Sequence, residues 1–124
     1  MMADLRGLRQ INSASGQNAG DELLRRVAKA FGSSLRNNDV LSRYEGDRFA
    51  VLLPEVSQEG LITVLAKLQH SLQTLASPLP GAEGVRATWA SACYPHDATT
   101  ELELVKTLLA RLQKAKEQSS GTQA

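Results

Sequence analysis

Few residues in this sequence have the types and spacing that chemistry requires. Arg36-Asn37-Asn38-Asp39 sets a guanidinium and a carboxylate three positions apart. Arginine offers bidentate bonds and a flat face for stacking, and the aspartate offers acceptors. The same pair is equally a solvated helix-end ion pair worth little. Glu45-Gly46-Asp47 puts carboxylates on a tight turn. Asp47 there is either a turn former or a free carboxylate of the kind that holds a divalent cation. Asp21 opens a helical pattern, where a carboxylate suits the macrodipole. His70 and His96 have no metal-ligand partners at useful spacing and read as surface residues. Cys93 stands alone in an apolar stretch and reads as a small buried residue, and Trp89 as core.

These groups need elements to hold them. Residues 1–6 read as a short strand. Leu24, Val27, Ala28, Phe31 and Leu35 recur at helical spacing, predicting a helix over 21–35. Strands at 40–44 and 48–53 flank the Glu45-Gly46-Asp47 turn and predict a hairpin with a polar tip. Leu61, Leu65, Leu68, Leu72 and Leu75 predict a helix over 58–75. Two prolines and two glycines make 77–84 a loop. Val85, Ala87, Trp89, Ser91 and Cys93 predict a strand ended by Pro95-His96-Asp97. Thr100 and Glu103 form a capping box, and the helix behind it runs to about Lys116. The order β-α-ββ-α-β-α predicts an α+β sandwich, a mainly antiparallel central sheet flanked by helices.

Composition narrows the function classes. The 124 residues, 42% hydrophobic and 22% charged, suit one globular domain over 1–117, with 118–124 expected as a disordered tail. Fourteen basic against 13 acidic side chains give a net charge of +1, without the excess that a nucleic-acid surface needs. A single cysteine excludes an intramolecular disulfide. There is no long apolar run for a membrane segment and no signal-peptide core, so a cytoplasmic domain is expected.

The run Arg43-Tyr44-Glu45-Gly46-Asp47-Arg48-Phe49 resembles the signature turn of the GGDEF family, the diguanylate cyclase domains. Asp4-Leu5-Arg6-Gly7-Leu8-Arg9-Gln10-Ile11-Asn12 is similar to the family's D-[IL]-D-x-F-K-x-I-N segment. Gly20-Asp21-Glu22-Leu23-Leu24 is similar to its G-D-x-[LV]-L helix start, and Phe49-Ala50-Val51-Leu52-Leu53-Pro54 to the strand after the turn. Cys93-Tyr94-Pro95 and Lys114-Ala115-Lys116 echo the end of the domain, so the likeness spans residues 4–116. It implies the palm-like fold with a ferredoxin-like βαββαβ core. It also implies that the chain enters at the first strand, without the family's leading helix and D-x-L-T-G-L-x-N-R-like segment.

Such domains join two GTP molecules into cyclic di-GMP across a face-to-face pair. The resemblance assigns Mg²⁺ to Asp4, Asp47 and the Leu5 carbonyl, with Asp47 on the catalytic turn. Asn12 and Asp21 would contact guanine, and Lys116 the phosphates. Arg36 and Asp39 match the RxxD site that binds product, with Lys67 as a second basic residue. There, arginine would bond guanine O6 and N7 and aspartate the Watson–Crick donors.

Several positions depart from the pattern. Glu45 stands for the first signature glycine, Arg48 for its glutamate and Arg6 for the second aspartate of the first motif. Ser120 stands where a phosphate-binding arginine is usual. A positive charge beside Asp47 competes with a metal. The expectation is therefore a degenerate, catalytically inactive domain that binds cyclic di-GMP at the RxxD site or acts as a regulatory domain. Its partners would be cyclic di-GMP or GTP, a homodimer mate or another signalling domain, with Mg²⁺ only where nucleotide is bound at the former active site. The alternatives are a weakly active cyclase and a GTP-binding regulatory domain.

Overall fold

The computed structural model describes residues 1–16, 18–76 and 85–122. Strand β1 (Met2–Arg6) ends at Gly7, whose φ of 90° favours glycine and turns the chain straight into helix α1 (Leu8–Ser15). The sequence reading has no helix there. Eight residues with only Leu8 and Ile11 buried are too few to show a periodic stripe. Helix α2 (Ala19–Ser33) starts two residues before the expected Asp21, and its stripe of Leu24, Val27 and Phe31 is buried.

Strands β2 (Val40–Glu45) and β3 (Arg48–Leu52) form the expected hairpin, with Gly46 at φ 54° in the tip. Helix α3 (Gln58–Ala76) follows the leucine stripe. The loop expected at 77–84 lies outside the described residues. Strand β4 (Arg86–Ala90) is shorter than the expected stretch to Cys93. Beyond Ala90 side chains capture the backbone: Arg111 Nη1 donates to the Ser91 carbonyl at 2.7 Å, and the Cys93 amide donates to Asp97 at 2.8 Å. Cys93 therefore lies past the strand, half-buried.

Helix α4 (Glu101–Thr122) is capped by Thr100, whose hydroxyl accepts the Glu103 amide at 3.1 Å. The reciprocal half of the capping box goes to a different residue, because the Glu103 carboxylate accepts from the amide and hydroxyl of Thr99. The helix continues past Lys116, so residues 118–122 are helical where a disordered tail is expected. No proline interrupts them, and Gly121, the residue there least suited to a helix, stands one position from its end. Residues 123–124 lie outside the described ones.

The four strands order β2-β3-β1-β4, with every adjacent pair antiparallel. This is the expected ferredoxin-like arrangement, which sets β1 in the interior of the sheet. Alternation along β1 divides its side chains between the two faces. Leu5 points to the core shared with α2 and α3, and Met2 packs on Leu108 and Leu112 of α4. Phe31 centres the larger core, edge-on to Phe49 at 5.6 Å and tilted on Trp89 at 5.8 Å. Among the described residues no helix is long and apolar enough to cross a membrane.

Phe31→Ala is expected to lower unfolding stability by about 3–5 kcal/mol in urea titration, as a cavity in a packed core does. Ile62→Ser, on the exposed face of α3, should change it by less than about 0.5 kcal/mol. Similar losses in both variants would contradict this core.

Candidate functional site

The end of β1 gathers most of the expected site. Asp4 follows Met2 by two positions and so faces α4 as Met2 does. Two strand residues advance about 6.7 Å. One helical turn, from Leu112 to Lys116, advances about 6 Å. That match carries Lys116 over Asp4, and the Lys116 ammonium pairs with Asp4 Oδ2. Arg48 is the cross-strand partner of Asp4 on β3, and its Nε donates to the same oxygen at 3.4 Å. Asp4 is only 7% exposed and is the one buried charged residue among those described. A carboxylate so placed needs positive partners, and it has two.

The hairpin tip comes to the same place. The Leu5 amide donates to the Asp47 carbonyl at 3.0 Å, so Asp4, Leu5 and Asp47 lie together while the Asp47 side chain stays exposed. This donor set does not suit Mg²⁺. The ion asks for near-octahedral oxygen ligands held at short distance. Here the buried carboxylate is already shared by a guanidinium and an ammonium, whose charges oppose a third cation. Among the described residues no three carboxylate, histidine or cysteine side chains converge.

Asn12 reaches the start of α2 at Gly20, the residue before Asp21. Asn12 Oδ1, from α1, accepts the Gly20 amide at 2.8 Å. A β-carbon on Gly20 would lie 2.8 Å from that oxygen, so the close approach requires glycine. Asp21 follows directly and is exposed. The bond satisfies one of the amides that a helix start leaves open. It also fixes the asparagine, leaving its NH₂ group available to a ligand.

Arg36 and Asp39 form a closed turn. The Asp39 amide donates to the Arg36 carbonyl at 3.0 Å, and the Asp39 carboxylate accepts from the Arg36 amide at 2.8 Å and from its Nη2 at 3.1 Å. Nη2 also donates to the Pro54 carbonyl at 2.8 Å, tying the turn to the segment after β3. Burial pushes the Asp39 carboxyl up, but the side-chain and backbone hydrogen bonds and the charge of Arg36 outweigh it. The group is held below its ordinary 3.8. Arg36 keeps about half of its side chain in solvent, 57%. Lys67 is exposed on α3 and makes no hydrogen bond or ion pair to either residue.

Two features escaped the sequence. Arg111 bonds Asp97 at 3.1 Å, and with the Cys93 amide it holds that carboxyl below 3.8 too. Arg86 stands opposite Arg6 in the β1–β4 register. The first joins α4 to the turn 14 residues before it, and the second exists only once β1 and β4 pair, so no local pattern marks either.

Residues 1–122 match the family model described as "Diguanylate cyclase, GGDEF domain", and the chain belongs to that family. Diguanylate cyclase DosC of Escherichia coli K12 is 32% identical over 73 residues, 59% of this chain and 16% of that protein. The chain thus spans about a sixth of this curated relative's length. The solved GGDEF domain of PA1120 (YfiN or TpbB) from Pseudomonas aeruginosa superposes with a TM-score of 0.81 at 28% identity. The match covers 94% of this chain and 74% of that one. The GGDEF domain of DgcB from Caulobacter crescentus, solved in complex with c-di-GMP, shares the fold at a TM-score of 0.76 and 18% identity, over 94% of this chain and 70% of its own.

Gly20→Ala should push Asn12 off the α2 start and lower the thermal midpoint, costing about 1–3 kcal/mol for the amide left without its partner. Gly32→Ala, with open space around it, should not destabilise. Acid should weaken the fold in a definite window. A carboxyl with a lowered folded pKa stabilises above its unfolded value and loses that contribution as pH falls through the folded one. Stability is therefore expected to fall below pH 3.8. Asp39→Asn should flatten that fall in pH-resolved denaturation.

Proposed function

We propose that this domain serves cyclic di-GMP signalling as a binding module: it takes cyclic di-GMP at the Arg36–Asp39 turn and does not cyclise GTP. The observation that carries the catalytic half is the pairing of both Arg48 and Lys116 with Asp4. Joining two GTP molecules puts negative charge on phosphates that divalent cations normally neutralise. An Asp4 carboxylate already balanced by two protein cations gives such an ion little hold.

The binding half is supported by the closed turn. Asp39 engages the Nε and Nη2 edge of Arg36. The Nη1 group and the guanidinium face remain for a guanine, which arginine can both bond and stack upon. Ligand binding would draw on a pre-set arginine rather than on one that must first be ordered. A second reading, GTP held without turnover, is favoured by the Asn12 amide fixed on Gly20, one residue before the exposed Asp21. Guanine offers N1–H and N2–H₂ donors that a carboxylate accepts.

Titration calorimetry with cyclic di-GMP should give heat that Arg36→Ala abolishes. No heat, or an affinity that Arg36→Ala leaves unchanged, overturns the binding reading. Incubation with GTP and Mg²⁺ at high protein concentration should give no cyclic di-GMP by chromatography, and product formation overturns the inactive reading. In a thermal-shift comparison, stabilisation by GTP alone would select the second reading.

A further inference from the structure

Arg36 is held at two points, and one of them lies outside its own turn. Its Nη2 group donates to Asp39 Oδ1 at 3.1 Å and to the Pro54 carbonyl at 2.8 Å. The Asp39 contact is three residues away and moves with the turn. The Pro54 contact reaches 18 residues along the chain and fixes the guanidinium against the segment that joins β3 to α3. Strand β2 lies at the sheet edge, with a neighbour on one side, so the turn leading into it depends on such ties.

The direction of the Pro54 carbonyl depends on the next residue. Pro54 and Glu55 are the middle pair of a turn between the end of β3 and Ser57, whose hydroxyl accepts the Gly60 amide at 3.0 Å where α3 begins. Glu55 has a φ of 52° and, among the described residues, is the one non-glycine with a positive φ. Proline at the second position of a turn and a positive φ at the third are the pattern of a type II turn. Types I and II differ by about 150° in ψ at that second residue, which swings its carbonyl from one side of the turn to the other. With Glu55 in the ordinary helical region, the Pro54 carbonyl would turn away from Arg36. A glutamate in the left-handed region is strained, and such strain clusters where it serves a function. The Glu55 side chain does not offset it: it is exposed and, among the described residues, makes no hydrogen bond or ion pair.

We infer that Glu55 is a positioning residue of the Arg36 site: its left-handed backbone aims the Pro54 carbonyl at Arg36 and so presents the guanidinium ready for an incoming guanine. The inference rests on the reading of Arg36 and Asp39 as a cyclic di-GMP site. Glu55 touches no ligand and acts through backbone shape rather than charge. An arginine held by Asp39 alone would keep its ion pair but swing with the turn, and binding would have to order it.

Three neutral substitutions separate shape from charge. Glu55→Gly and Glu55→Asn tolerate a positive φ, and Glu55→Val does not. In titration calorimetry with cyclic di-GMP, Glu55→Gly and Glu55→Asn should bind within about twofold of wild type, and Glu55→Val about tenfold more weakly, as loss of one bond to a charged group does. The side-chain proton–nitrogen NMR spectrum of the ligand-free chain reads Arg36 directly. Its Nε–H signal should be resolved and slow to exchange in wild type, Glu55→Gly and Glu55→Asn, and broadened in Glu55→Val. Wild-type affinity in Glu55→Val, or equal weakening by all three substitutions, would overturn the inference. So would a freely exchanging Arg36 signal in the wild-type chain, a result that needs no variant to fold. No binding by the wild type, with Arg36 ordered there and freed by Glu55→Val, would uphold the positioning and overturn the cyclic di-GMP reading instead.

Discussion

One buried carboxylate ties the domain together. Asp4 sits in the interior strand, nearly shut off from water, and is reached by Arg48 from the hairpin and Lys116 from α4. Such a charge is tolerable only when paired, and stripping a partner from a buried pair costs about 3–5 kcal/mol. The contact therefore constrains three elements at once. The hairpin must lie in register against β1, and α4 must reach at least Lys116 before it ends. The Leu5–Asp47 backbone bond holds the tip to the same strand end.

That constraint also decides the chemistry open to the site. The first aspartate of the motif and the aspartate of the turn both remain, at the place where the family's likeness puts them. What differs is their electrostatic company. Arg48, standing for a glutamate, replaces one negative charge by a positive one directly across from Asp4. Arg6, standing for an aspartate two residues on, does the same on the same face. Both exchanges put a positive charge beside a carboxylate that the likeness would offer to a cation. The Arg36–Asp39 turn lies elsewhere and is closed by its own hydrogen bonds, so it is untouched by the change.

Much of this was legible in the sequence because it is local. The leucine stripe of α3, the hairpin around Gly46 and the Thr100 cap each declare themselves within a few residues. The resemblance placed Asp4, Leu5 and Asp47 near one another, and the strand pairing brings them together. What the sequence hid is long-range or short. Helix α1 has two buried residues and no stripe to read. The end of β4 is set by Arg111 and Asp97, from farther along the chain. The engagement of Asp4 by Arg48 spans 44 positions, and no local pattern marks it. The opposition of Arg6 and Arg86 likewise exists only once β1 and β4 are paired.

The central claim is that Asp4 is neutralised by the protein's own cations. A double-mutant cycle on Asp4→Asn and Arg48→Gln, read by urea unfolding with metal chelated throughout, tests it most directly. The account predicts a favourable coupling of about 0.5–3 kcal/mol, as for residues in one ion-pair network. Additive losses, with no coupling between the two positions, would contradict it.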